Sequence, residues 1–445
     1  MKLQKFIIAL IALAVLLSPT ASFAQGWVPF LLDVIDEDLD DYYPLKEPKV
    51  IDFYGNVGYA LGDDGTMYKS LDNGKSWIGA SDDGVGNTWI GLTSQWAIYN
   101  LYALAENTVM MISSGRYANK SDNGGLSFYS NYLEYVISTK YSWLMKSAQI
   151  NNEEYLFIDG DHLYKTNDTF ETGYVVYNAT ELDSNEYLCD MAASDSGKSI
   201  ILLVCNSDST LVSDNAGKTF TRKELSFHGI STSTEINFAS DKVVYMLSTT
   251  GELYKSIDGG FSWGIMPKPD NTLRFADSMD FLDEQNGIAV AYSYGYGQVV
   301  FDLQTSERIF FTSNGGYSWT MMNAFIPNEF ELSNQSVYYD NADRLFAVGG
   351  CDDGTDSKLN GACILRYNPA DGVLIKSAES KKVYYSGKDG LLHWIPNEST
   401  FYSWYDNFNS VETVPKTYID SMNIGNEAIP RRSGETKDIG KVMNW

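Results

Sequence analysis

The sequence is poor in the residues that usually build metal and redox sites. Its 445 residues include 3 His and 4 Cys. His162, His228 and His393 are scattered along the chain, and no two cysteines have the CxxC spacing typical of zinc and thiol redox sites. We therefore predict that the protein has neither a metal site nor a cofactor.

Positive charge is also scarce. Lys and Arg number 32 against 58 Asp and Glu, which gives a formal net charge of −26 at pH 7. Nucleic acids and anionic lipid surfaces are recognised mainly through Lys and Arg, so a chain of this charge is repelled by both. We exclude nucleic acid as a partner and expect the acidity to serve solubility.

Long apolar runs are missing after the first 24 residues. Within residues 1–24, Lys2 and Lys5 precede the apolar run Phe6–Leu17, and Ser22–Ala24 has the small-x-small pattern of a cleavage site. This arrangement predicts a signal peptide cleaved after Ala24, because the run is too short to span a membrane. We expect a secreted or periplasmic protein with no stable membrane insertion.

An eight-residue pattern, S/T-x-D/N-x-G-x-S/T-W/F, recurs along the chain. Its clearest copy is Ser256–Trp263, and its copies begin at residues 70, 121, 166, 213, 256 and 312. The copy at Thr166 is degenerate, with Gly173 in the place of the aromatic residue. The acidic or amide position and the Trp position are occupied by Asp72, Asn123, Asp168, Asn215, Asp258 and Asn314, and by Trp77, Trp263 and Trp319.

We interpret each copy as a tight hairpin turn. Ser and Asp side chains can hydrogen-bond to the backbone of their own turn, and glycine adopts backbone angles that a Cβ atom disfavours. Asp72 and Asp258 are therefore predicted to form turns and not to act as catalytic acids.

The spacing of the copies indicates the fold. Successive copies are separated by 51, 45, 47, 43 and 56 residues, and a period of this length with four short strands is typical of a β-propeller blade. We predict an all-β protein with one β-propeller of seven, or eight, four-stranded antiparallel blades over residues 49–410. An acidic segment (25–48) precedes it, a polar tail (411–445) follows, and the apolar stretch 27–35 is predicted to supply a strand that closes the ring.

The repeated pattern resembles the Asp-box, or BNR repeat. That family includes sialidases, glucan hydrolases, sortilin-type receptors and Ycf48-type photosystem assembly factors, in which the boxes are structural turns. The resemblance thus implies the propeller fold and no particular catalytic residue. A sialidase also needs an Arg-Ile-Pro motif, yet none of the three Ile-Pro pairs here, at Ile326, Ile395 and Ile429, follows an Arg.

We predict a module that binds a protein or a glycan; the alternative is a glycoside hydrolase related to sialidases. Function favours loops held by a rigid scaffold, and the loops opposite the turns include Tyr292–Arg308 and Cys351–Cys363. The predicted contact residues are Tyr292, Tyr294, Tyr296, Trp89, Asp352 and Asp353. Two other interpretations stay open, since the tyrosines can cover a blade edge and the Asp-rich loop can bind calcium. The acidic segment 25–48 allows the same choice between a calcium site and a solvated linker.

The four cysteines allow three disulfide pairings. We favour Cys189–Cys205 and Cys351–Cys363, because each pair flanks one short polar segment and can close one hairpin.

Replacing Trp263 with Ala tests the blade assignment. If the indole packs beneath its turn, we expect the free energy of unfolding to fall by about 3–5 kcal/mol, the usual cost of truncating a buried aromatic side chain. Urea denaturation followed by tryptophan-independent circular dichroism measures the change. An unchanged midpoint would show that the strand after the turn is wrongly placed.

Overall fold

The computed structural model describes the greater part of the chain. The described residues are 26–31, 48–62, 67–74, 76–79, 98–113, 117–133, 146–150, 154–231, 234–270, 273–293, 308–321, 331–341, 344–352, 360–368, 374–377, 379–387, 391–408, 411–414, 416–422, 424–432, 434–435, 437 and 439–443. The predicted signal peptide and most of the acidic segment lie outside them.

Seven sheets share one plan, in which four antiparallel strands follow one another from the inner edge to the outer edge. Blades 1 to 3 consist of β2 (Pro48–Tyr54), β3 (Val57–Gly62), β4 (Met67–Ser70) and β5 (Ile78–Gly79); β6 (Ile98–Ala105), β7 (Thr108–Ser113), β8 (Tyr117–Ser121) and β9 (Tyr129–Tyr132); and β10 (Lys146–Ile150), β11 (Glu154–Asp159), β12 (His162–Thr166) and β13 (Tyr174–Asn178).

The next three blades repeat this plan. Blades 4 to 6 consist of β14 (Tyr187–Ala193), β15 (Ile200–Cys205), β16 (Ser209–Ser213) and β17 (Thr221–Glu224); β18 (Glu235–Phe238), β19 (Val244–Leu247), β20 (Leu253–Ser256) and β21 (Gly264–Ile265); and β22 (Leu273–Phe281), β23 (Gly287–Ser293), β24 (Arg308–Thr312) and β25 (Thr320–Met321).

Blade 7 combines three consecutive strands with the N-terminal strand. It contains β26 (Glu331–Asn341), β27 (Arg344–Asp352) and β28 (Asn360–Asn368), and its outer strand is β1 (Gly26–Leu31), which pairs antiparallel with β28. The first strands of the seven blades contact one another in chain order, and β2 contacts β26 and β27. The propeller prediction is confirmed, and seven of the described sheets follow one another around the ring.

An eighth four-stranded sheet lies at the C-terminal end and differs from a blade. It contains β29 (Leu374–Ser377), β30 (Val383–Ser386), β31 (Leu392–Ile395) and β32 (Val411–Val414), with β32 parallel to β29. The N-terminal strand therefore belongs to the sheet of β26, β27 and β28 and not to this one. The domain boundary that we predicted at residue 410 falls within this sheet.

Three short helices accompany this sheet and complete a C-terminal module of residues 374–443. They are α1 (Glu398–Trp404), α2 (Lys416–Ser421) and α3 (Ile439–Met443). Phe401, Trp404 and Ile439 share a buried core with strand residues of the module. Ile375 and Val414 instead join the buried cluster of blades 6 and 7. Within the described chain, no helix is long and apolar enough to cross a membrane.

The repeated turn is held by hydrogen bonds within its own eight residues. In blade 1, Ser70 Oγ accepts a hydrogen bond from Gly74 N at 2.8 Å. Asp72 Oδ1 accepts one from Ser76 N at 2.8 Å, and Ser76 Oγ donates to Asp72 Oδ2 at 2.6 Å. The same contacts of the acidic or amide side chain recur at Asn123, Asp168, Asn215, Asp258 and Asn314. These side chains therefore form hydrogen bonds within their own turns.

Each regular turn also contacts the hairpin that joins the first two strands of its blade. Asn73 N donates to Asn56 O at 2.9 Å in blade 1, and Gly259 N donates to Lys242 O at 2.8 Å in blade 5. The turns and these hairpins therefore lie on one face of the ring, and the loops between second and third strands lie on the other.

A paired Tyr and Lys link some blades to the next. Tyr59 and Lys69 are cross-strand partners in blade 1. Tyr59 donates to the backbone oxygen of Glu106 at 2.8 Å, and Lys69 Nζ donates to Asn107 Oδ1 at 3.0 Å. In blade 5, Tyr245 and Lys255 reach Glu284 O at 3.3 Å and Gly315 O at 3.0 Å. Burial raises the pKa of Tyr59 to about 12, because the buried phenol resists ionisation.

One predicted disulfide is confirmed. Cys189 and Cys205 are bonded, with their Cα atoms 5.6 Å apart, within the usual range for a disulfide. Cys189 occupies a register shift between Leu188 and Asp190 in β14. Cys351 and Cys363 lie on paired strands, opposite Gly361 and Gly349, but their side chains lie outside what the structure describes. That disulfide stays a prediction.

The degenerate turn of blade 3 replaces its missing aromatic residue in another way. Phe170 occupies the place where the other copies have glycine, at a φ of 65°. Its side chain is fully buried, with ring centroids 5.3 Å from Tyr155 and 5.2 Å from Phe157. An L-residue in this left-handed region costs about 1–2 kcal/mol, and burial of the ring offsets that cost.

Two substitutions of Phe170 separate the burial of the ring from the backbone strain. Phe170→Ala is expected to lower the free energy of unfolding by about 3–5 kcal/mol. Phe170→Gly is expected to cost about 1 kcal/mol less than Ala, because glycine adopts the positive φ without strain. Urea denaturation measures both values, with Tyr174→Ala, at 61% exposed in the same blade, as the near-neutral control. A glycine variant less stable than the alanine variant would contradict this account.

Candidate functional site

The predicted loop surface lies largely outside the described residues. Trp89, Tyr294, Tyr296 and Asp353 are in segments that the structure does not describe. Tyr292 lies at the end of β23, opposite Arg274, and Asp352 ends β27, opposite Asn360. Contacts among these side chains fall outside the described residues. A different site, at the centre of the ring, was not predicted from the sequence.

A cleft of about 280 Å³ lies among the first strands of blades 2 to 5, at the centre of the ring. Because each first strand is the inner edge of its blade, side chains from four separate blades meet there. The polar residues that line the cleft are Asn100, Lys146, Ser147, Asp190, Asp195 and Asn237. Asp195 belongs to the hairpin after β14, so the cleft extends toward the face that carries the repeated turns.

Acceptor side chains on the first strands connect neighbouring blades. In each case a side-chain oxygen of one blade accepts a backbone N–H from the first strand of the following blade. The pairs are Ala103 N with Asp52 Oδ2 at 2.8 Å, Ser147 N with Asn100 Oδ1 at 3.3 Å, Met279 N with Glu235 Oε2 at 2.8 Å, and Tyr339 N with Asp280 Oδ2 at 2.7 Å. We call Asp52, Asn100, Glu235 and Asp280 the inner acceptors.

The physical reason for these contacts is the inner edge of each blade. A first strand has a partner on one side only, so its remaining N–H groups need acceptors from elsewhere. Side chains of the preceding blade supply them. The sequence contains a pattern that could have identified these residues, because most repeats have an acceptor residue in the first strand. With 58 acids in the chain, that pattern is hard to recognise.

Blades 3 and 4 are joined across the cleft by an ion pair. Lys146 Nζ lies 3.7 Å from Asp190 Oδ2. The Asp190 side chain is 12% exposed and that of Lys146 is 26% exposed. Asp190 Oδ1 also accepts a hydrogen bond from the neighbouring Met191 N at 2.7 Å.

Burial changes the protonation of two acids here. It raises the pKa of the Asp190 carboxyl, and the charge of Lys146 opposes this rise. It raises the pKa of Glu235 well above its ordinary value, and the negative charges of Asp280 and Asp190 act in the same direction. The cleft can therefore hold protons, accept hydrogen bonds and attract positive charge. No group of three or more His, Cys, Asp or Glu in the described ranges is arranged to hold a metal ion.

The closed ring of four-stranded blades defines the protein as a β-propeller. No protein-family model and no curated protein sequence matches the chain. Solved structures match its fold. A structure described as Ycf48 bound to D1 peptide has a TM-score of 0.53 and 14% identity, and the match covers 79% of this chain and 99% of that one.

Two further structures resemble the chain. Ycf48 from Cyanidioschyzon merolae has a TM-score of 0.50 and 13% identity, covering 77% of this chain and 98% of that one. A GH74 enzyme of Niastella koreensis has a TM-score of 0.48 and 12% identity, covering 80% and 65%. At these identities the likeness concerns the fold alone.

The raised pKa of Glu235 predicts an unusual dependence of stability on pH. Folded Glu235 holds a proton above the pH at which the unfolded chain, with its ordinary pKa of 4.5, has lost it. Its contribution is therefore fully present below about pH 4.5 and is lost as the pH rises through the raised folded pKa. Glu235→Gln, which stays neutral, is expected to flatten this loss in urea denaturation curves across that window.

Glu186 supplies a control of opposite sign. Arg222 holds its carboxylate through two hydrogen bonds, at 2.7 and 2.9 Å, and lowers its pKa to about 2. Its contribution is present above about pH 4.5 and is lost as the pH falls through about 2. Parallel stability curves for the wild type and Glu235→Gln would contradict the assignment to Glu235.

Proposed function

We propose that the protein is an exported β-propeller that binds a segment of a partner protein, with the central cleft as part of its binding site. The observation that carries this proposal is the cleft itself, in which polar side chains from four blades converge on one space. The hydrogen bonds between blades hold these side chains in place. A site that is ordered in advance loses little conformational entropy when a ligand binds, which favours affinity.

The size of the cleft supports a small contacting group. About 280 Å³ is at the lower limit of ligand pockets, which usually run from about 300 to 1,000 Å³. It suits one side chain or a short stretch of peptide better than a branched glycan. One fold neighbour, Ycf48, is described as bound to a D1 peptide, which shows that a propeller of this general plan can hold a peptide.

The predicted loops remain in the proposal as a second contact surface. They carry Tyr292, Tyr294, Tyr296, Trp89, Asp352 and Asp353, and the sequence pattern predicts that they lie on the face opposite the repeated turns. The hydrogen bonds of those turns support assignment of the repeat to the Asp-box type, whose turns are structural.

Glycoside hydrolysis is the second candidate, and one observation favours it. Asp190 lines the cleft with a raised pKa, as a general acid in a glycosidase requires. The second carboxylate of such a pair would be Asp195, which also lines the cleft.

A retention and release assay separates the two functions. Residues 25–445 are incubated with an array of peptides and, separately, with sialylated and neutral glycans, and both retained ligand and released sugar are measured. We expect peptides to be retained and no sugar to be released. Asp190→Asn should weaken retention at least tenfold, while Asp122→Asn, which alters an exposed turn residue (56% exposed side chain), should not.

The loop surface is tested in the same assay. Joint replacement of Tyr292, Tyr294 and Tyr296 with Ala should reduce retention and leave the melting temperature unchanged. Sugar release that disappears in Asp190→Asn would instead establish the hydrolase, and absence of any retained peptide would refute the binding role.

A further inference from the structure

The cleft is lined by hydrogen-bond acceptors that could receive more donors. Asn237 Nδ2 donates to Asp280 Oδ1 at 3.1 Å, which orients the amide because an ionised carboxylate only accepts. The amide oxygen, Asn237 Oδ1, is then an acceptor; it is buried and has no hydrogen-bond partner among the residues that the structure describes. A buried acceptor without a donor is costly, at about 1–3 kcal/mol, so the site favours a ligand that brings N–H groups.

A second observation is that the cleft already holds one ammonium group at its border. Lys146 Nζ lies 3.7 Å from Asp190 Oδ2, whereas a charge-assisted hydrogen bond of this kind measures about 2.7–2.9 Å. The carboxylate is thus paired loosely. Since the Lys146 side chain is more exposed than that of Asp190, an entering cation can approach the carboxylate while Lys146 turns toward solvent.

The charges around the cleft favour a positively charged ligand. Asp190, Glu235 and Asp280 lie on neighbouring inner strands and interact electrostatically, and Lys146 is the cation that faces them within the described cleft. A cation stabilises the ionised forms of these acids, whereas an anion adds repulsion. The overall charge of −26 acts in the same direction through long-range steering.

We infer that the cleft recognises an ammonium or guanidinium group, presented by a Lys or Arg side chain of the bound segment, with Asp190 and Asn237 Oδ1 as the accepting groups. This inference rests on the proposed binding of a protein segment and names the chemistry that the segment must carry.

Small probes test the chemistry directly. Isothermal titration calorimetry of residues 25–445 would use the Nα-acetyl methylamides of Lys and Arg, with those of Nε-acetyl-lysine and citrulline as neutral counterparts of similar shape. We expect each cationic probe to bind at least tenfold more tightly than its neutral counterpart. Putrescine serves as a free diamine, and binding of putrescine without binding of either amino-acid probe would overturn the side-chain source.

Three variants test the residues. Asp190→Asn and Asn237→Leu are each expected to weaken binding of the cationic probes at least tenfold, with Asp122→Asn as the control for loss of one negative charge. Lys146→Met removes the internal ammonium and is expected to strengthen binding severalfold. Circular dichroism and urea denaturation establish that each variant is folded. Weaker binding to folded Lys146→Met, or equal binding of cationic and neutral probes, would overturn the inference.

A further experiment distinguishes failure of the cation inference from failure of the proposed function. Peptides retained in the array are resynthesised with every Lys and Arg replaced by Nε-acetyl-lysine and citrulline. Unchanged retention would overturn the cation inference and leave peptide binding established. Absence of any retained peptide would instead refute the proposed function, while the small probes would still report whether the cleft binds a cation.

Discussion

The inner edge of each blade is the constraint on which the rest of the structure depends. A four-stranded sheet that ends at a central channel leaves its first strand without a neighbour on one side, and the N–H groups there need acceptors. Asp52, Glu235 and Asp280 satisfy such groups in the following blade. Each inner acceptor must therefore be polar, although it is partly buried, and its position depends on the next blade. The ring is held together at its centre by the same side chains that make the channel acidic.

The outer parts of the ring depend on different interactions. The repeated turns are held by their own side chains, and pairs such as Tyr245 and Lys255 extend from one blade to the hairpin and turn of the next. At the seam, where no following repeat exists, β1 supplies the outer strand of blade 7. The N-terminal strand is thereby joined to the last of the consecutive blades, and β2 contacts β26 and β27 where the ring closes.

The need for hydrogen-bond acceptors at the inner edge of each blade also explains why acidic side chains gather at the candidate site. The negative charges of Asp280 and Asp190 add to the rise in the pKa of Glu235, and Lys146 is the cation among the described residues that line the cleft. The Lys146 ammonium group pairs with the Asp190 carboxylate at a distance of 3.7 Å, so it compensates the negative charge there only in part. An incoming cation with several N–H groups would donate hydrogen bonds to the acceptors in the cleft and neutralise part of their negative charge. The interactions that stabilise the fold thus also favour a cationic ligand.

The sequence by itself determined the repeated turns, the propeller and the first disulfide. All three depend on contacts between residues close in the chain, as with Asp72 and Ser76 within one turn or Cys189 and Cys205 across one hairpin. The tertiary structure alone decided which sheet the predicted N-terminal strand joins, that Phe170 replaces a missing aromatic residue, and that Asp190 and Asn237 meet in one cleft. Those outcomes depend on which blades are neighbours and on how space is filled between them. Local hydrogen bonding leaves a readable pattern in eight residues, whereas packing across repeats depends on the geometry of the closed ring.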